Sequence, residues 1–78
     1  MKISMDVDRL VEEFGGASQM SRYFTTLGCP INRTTIVMWQ SRGQITMGPW
    51  LHMNVCLWKE TGRWLNLWDY LLIDGVKP

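Results

Sequence analysis

The 78 residues suffice for one domain around one core, and a hydrophobic share of 46% against 19% charged residues excludes a disordered chain. The formal net charge of +1 names no partner, but the charges are unevenly spread: no Asp or Glu occurs from Phe14 to Lys59, where Arg22, Arg33, Arg42 and Lys59 fall. A carboxylate-free stretch presents a positive face to a polyanion.

Asp6 or Ser4 is placed to cap a first helix reaching about Phe14, with Val7, Leu10, Val11 and Phe14 as its apolar stripe. Gly15 and Gly16 stop it. A second helix is expected over residues 17–27, with Met20, Phe24 and Leu27 on one side and the small Ser21 beside them. Gly28 suits the left-handed position after a helix end, and Pro30 forbids continuation. Asn32 is an N-cap residue type whose side chain is expected to accept from Thr34 or Thr35, opening a third helix over residues 33–41 with Ile36 and Trp39 inward. Gly43 ends it. Gly48 and Pro49 are expected to open a fourth helix reaching Thr61, closed by Gly62, with Pro49 at the first helical position. Trp50, Leu51, Val55 and Trp58 are assigned to its buried side, with Met47, Met53 and Leu57 nearby. Asn66 is placed to cap a short fifth helix over residues 67–73; residues 63–67 could instead be extended, and a loose tail follows Asp74. The pattern reads as one compact all-α domain of four to five helices over residues 1–78.

Cys29 and Cys56 are separated by 26 residues and accompanied by one His, His52, which matches no zinc spacing. His52 is therefore read as a structural or exposed residue, and no metal or cofactor is expected. Cys29, next to Pro30, is expected to lack a base partner for nucleophilic work, and the glycine-rich pieces follow no strand, so no enzymatic chemistry is expected. No basic segment followed by an apolar run opens the chain, and no apolar stretch is long enough to span a bilayer, so a cytoplasmic protein with two free thiols is expected.

Two short helices, a tight turn and a capped second helix follow helix-turn-helix logic, with residues 32–41 as the recognition helix. Ser21 supplies the small residue where the two helices cross, and Ile36 and Trp39 anchor the second helix from behind. Met20-Ser-Arg-Tyr-Phe, then Ile31-Asn-Arg-Thr-Thr-Ile-Val-Met-Trp-Gln, then Arg42-Gly-Gln-Ile, resembles the Cro/YdaS-like regulators of phages and bacteria. The resemblance covers residues 14–58, and Trp39…Arg42-Gly43…Ile45 is its most specific part. It implies a lambda-repressor/Cro-like architecture and a transcriptional regulator acting on an operator, usually as a dimer. The chain departs from the family between the two motif helices. There the family has a single Gly and this sequence has Thr25-Thr-Leu-Gly-Cys-Pro, read as one extra turn on the second helix plus a Gly-Cys-Pro connection.

The contact chemistry follows from residue types. Arg33 presents a planar fork suited to guanine O6 and N7, and Thr34 to a base edge or a thymine methyl. Val37 and Met38 either meet thymine methyls or pack on a neighbouring helix. Asn32, Thr35, Gln40 and Ser41 complete the polar side of the recognition helix. Ser18 and Gln19 at the start of the second helix suit phosphate, as do Arg22 and Arg42 at the edges of the unit. Five Trp are many for this length. Either they fill the core, or those after the motif form a partner surface; Trp64, Leu67, Trp68 and Leu71, within residues 62–74, are the expected homodimer contacts. Two functions follow as expectations. The first is a sequence-specific DNA-binding regulator, most simply a repressor of double-stranded DNA sites. The second is a phage-type interaction module that inhibits a host protein through its Trp-rich surface.

Overall fold

The computed structural model describes residues 1–78, and four helices with one small sheet make up the fold. Strand β1 (Ile3–Met5) leads into α1 (Val7–Glu13), where the Asp6 carboxylate accepts from the Arg9 N–H at 3.2 Å and so satisfies one of the first-turn donors. Val7, Leu10 and Val11 face the core. Gly15 and Gly16 adopt φ of +88° and +104°, values that a side chain resists, and this reversal ends α1 and starts α2 (Ala17–Thr26).

Helix α2 buries Met20 and Phe24, and Phe14, Tyr23 and Phe24 form an aromatic trio with centroids 5.2–5.5 Å apart. Residues 27–32, with Gly28, Cys29 and Pro30 among them, connect it to α3 (Arg33–Arg42). Ile36 and Trp39 are the buried residues of α3. Asn32 occupies the N-cap position with extended backbone but makes no side-chain cap hydrogen bond, contrary to expectation. Gly43, at φ +66°, closes α3 by donating to the Trp39 carbonyl at 2.8 Å.

Helix α4 (Met47–Thr61) starts a residue before the expected Gly48-Pro49 opening, with Thr46 as N-cap. Pro49 then stands in the first turn, where its missing N–H costs nothing. The expected buried face is corrected in part: Trp50, Met53 and Leu57 face the core, whereas Met47, Leu51, Val55 and Trp58 are exposed. The helix is apolar on nearly every side, so periodicity alone does not select the inward face.

Beyond α4 the chain is extended over residues 63–66, held where the Leu65 N–H donates to Asn54 Oδ1 at 2.6 Å. The expected fifth helix is replaced by a single 3-10 turn, Leu67–Tyr70, followed by strand β2 (Leu71–Ile73). Asn66 does cap that turn, accepting from Trp68 N–H at 3.1 Å. Strand β2 pairs antiparallel with β1 in the register Ile3↔Ile73, Ser4↔Leu72 and Met5↔Leu71. The all-α expectation is therefore corrected to mostly helical with a two-stranded sheet joining both ends of the chain. The tail is not loose to its end: Asp74 and Gly75 both take positive φ, and Ile73 and Val76 exchange backbone hydrogen bonds of 2.8 and 3.0 Å.

One apolar core joins these elements. Phe24, Leu10, Met20, Ile36 and Met53 are fully buried, each stabilising the fold by about 1.5–3 kcal/mol relative to exposure. Of the aromatic residues near the C-terminus, Trp50 and Tyr70 belong to this core and meet edge to face at 6.4 Å. No helix is long and apolar enough to cross a membrane.

Candidate nucleic-acid interface

Two inward anchors, Ile36 and Trp39, fix which side of α3 meets water. The opposite side carries Thr34, Val37, Met38 and Ser41 at i, i+3, i+4 and i+7, the spacing of one helical face, and all four are exposed. Val37 and Met38 are 41% and 43% exposed and lie outside the buried core. Arg33 and Arg42 flank this face and are also exposed, as is Asn32 just before it. Two expected residues sit differently. Thr35 is half-buried and turned toward α4, and Gln40 is half-buried with its amide donating to Asp8 of α1 at 3.2 Å.

Helix α2 reaches this surface through one hydrogen bond. Ser21 Oγ donates to the Ile31 carbonyl, two residues before α3 begins. Ser18 and Arg22, at i−3 and i+1 from Ser21, lie on the adjoining strip of α2 and are exposed. Gln19 lies farther round the helix from Ser21 and lines a shallow groove that also includes Arg22, Glu13, Phe14, Tyr23 and Thr26. No side chain caps the N-terminus of α2, whose N-cap is Gly16. Its first-turn N–H groups therefore keep their donor capacity.

The electrostatics are simple. The one ion pair in the protein joins Arg9 and Glu13 at 3.8 Å, so Arg22, Arg33 and Arg42 have no intramolecular carboxylate partner. Asp8, held by Gln40, stands at the margin of α3.

The C-terminal residues expected at a dimer contact divide. Trp64 and Trp68 are 67% and 63% exposed, Leu67 is exposed, and Leu71 is half-buried in β2. Sequence reasoning missed a second apolar surface, the outer stripe Met47, Leu51, Val55 and Trp58 of α4. Its i, i+4, i+8, i+11 spacing is legible in the sequence, but spacing alone does not tell an outward stripe from a core-facing one.

A third grouping was also missed. His52 and Cys56 are one turn apart on α4, and the fold brings Cys29 from the α2–α3 connection against them. Cys29 Sγ lies 3.6 Å from His52 Nδ1. His52 is exposed, within the expected alternatives, but the expectation that Cys29 lacks a base partner is corrected: the fold sets the His52 imidazole beside its thiol. Burial, and then the adjacent Cys56, push the Cys29 thiol up to about 11 from its ordinary value of 9.0. Comparison with protein-family models, with curated proteins and with solved structures finds no match for this chain.

Proposed function

We propose that α2, the connection and α3 act as a helix-turn-helix and that the protein is a DNA-binding regulator of the Cro type. One observation carries the reading: the exposed face of α3 is free of carboxylates and is flanked by two arginines without intramolecular ion partners. In a major groove, Thr34, Val37, Met38 and Ser41 would meet base edges and thymine methyls. Arg33 and Arg42 at its margins, with Ser18 and Arg22 from α2, suit guanine or phosphate oxygens. Repression needs nothing beyond occupancy of a site.

One copy of so small a unit covers too little DNA for tight, selective binding, which favours a homodimer on two half-sites. The surface proposed for the second copy combines the outer stripe of α4 with Trp64, Leu67 and Trp68. Between Gly43 and Trp58 the chain carries no Asp, Glu, Lys or Arg, so the span of α4 that holds this stripe brings no like charges against a second copy.

The same apolar surface supports a second reading, an interaction module that docks a host protein and uses the helices as a scaffold. Titration of a random duplex with the wild-type chain at low and moderate salt tests the choice. Steeply salt-dependent binding supports the regulator, because cations that neutralise phosphates release counterions. Absence of binding at low salt supports the module.

A further inference from the structure

We propose that Cys29, His52 and Cys56 form a binding site for one zinc ion. The inference rests on these three side chains alone and stands whether or not α3 reads DNA.

The donor set is the first argument. Two thiols and an imidazole are the ligand types that a borderline-soft cation such as Zn(II) selects over Mg(II) or Ca(II). The spacing is the second. All three donor atoms lie within 4.8 Å of one another, and Cys29 Sγ to His52 Nδ1 is 3.6 Å. With zinc–sulfur and zinc–nitrogen bonds of about 2.3 and 2.0 Å, tetrahedral geometry places a sulfur and a nitrogen ligand about 3.5 Å apart, close to the distance seen. The site therefore needs only small side-chain adjustment, with Nδ1 as the ligating nitrogen.

The surroundings supply the third argument. Cys29 is buried, Cys56 half-buried and His52 exposed, so the three donors span the wall between core and solvent. Cys29 and His52 also line a cavity of about 340 Å³, together with Asn32, Thr35, Trp39 and Pro49. That cavity gives an ion access and leaves room for water as a fourth ligand. Binding would convert both thiols to thiolates, releasing two protons to solvent, with no change of oxidation state. The consequence is mechanical. Cys29 belongs to the connection between α2 and α3, whereas His52 and Cys56 belong to α4. A bound ion would staple that connection to α4 and fix the approach to α3.

The test uses the full chain kept reduced by a phosphine, first with Co(II) as a spectroscopic probe and then with Zn(II). One Co(II) per chain is expected, with a sulfur-to-metal charge-transfer band and the intense visible absorption of a tetrahedral ion, both lost when Zn(II) displaces it. Zinc is also expected to raise the thermal unfolding midpoint and to slow alkylation of Cys56. Because Cys29 is buried, the decisive variants are His52→Gln and Cys56→Ser, each lowering zinc affinity more than about 100-fold, beyond the loss expected for an outer-shell partner. Absence of the charge-transfer band, or affinity unchanged in both variants, overturns the proposal.

Discussion

Ser21 and Ile31 are joined by a hydrogen bond from the Ser21 hydroxyl to the Ile31 carbonyl, which ties the middle of α2 to the residues that launch α3. The contact demands a side chain both small and able to donate. Ser21→Ala leaves the carbonyl without that donor and is expected to cost about 1 kcal/mol in urea unfolding. Ser21→Leu adds bulk at the same junction and is expected to cost more. Equal stability of wild type and both variants would show that the junction does not set the placement of α3.

The face of α3 gives a sharper expectation. Arg33→Ala removes an exposed side chain with no ion partner, so stability should change little. Affinity should fall by about 1–3 kcal/mol on the preferred duplex and much less on others, if Arg33 reads a base. A loss equal on all duplexes in competition binding would assign it to phosphate.

Self-association is expected through the stripe on α4. Sedimentation of the wild-type chain at micromolar concentration should give a species heavier than the 9.1 kDa chain. Leu51→Glu together with Trp58→Glu places charge on exposed positions and should return the 9.1 kDa monomer with helical content intact. A wild-type monomer would exclude the homodimer.

Tyr70 sets an alkaline limit. Its phenol is pushed up from 10.0 to about 12, first by burial and then by the nearby Glu13 carboxylate. Below pH 10 the phenol is neutral in both folded and unfolded chains, and its contribution is fully present. Above pH 10 the unfolded chain ionises first, so stability falls until the folded phenol itself ionises near pH 12. Thermal unfolding followed from pH 9 to 12 should show that decline, and Tyr70→Phe should reduce it.

Much of the helical framework was legible because its signals are local. Asp6 caps α1 and Gly43 and Gly62 close α3 and α4 through backbone chemistry that needs no tertiary partner. The inward Ile36 and Trp39 were readable for a related reason, since i, i+3 spacing puts both on one side of α3. The strands were not legible, because Ile3–Met5 and Leu71–Ile73 are too short to leave a period and depend on pairing across the whole chain. Asp74-Gly75 is itself a local turn signal, and both residues take positive φ. Helix α4 misled because Leu51 and Val55 are as apolar as Met53 and Leu57, so only tertiary contacts choose the buried side. The thiol–imidazole group escaped because only the His52–Cys56 half is local; Cys29 arrives through the fold.

The central claim is that the exposed face of α3 meets duplex DNA, and amide chemical-shift mapping of the labelled chain tests it most directly. Adding a short duplex should shift residues 32–42 and the first half of α2, while α4 and residues 64–68 stay unperturbed apart from dimer contacts. Shifts confined to α4 and the C-terminal tryptophans, with α3 silent, would contradict it.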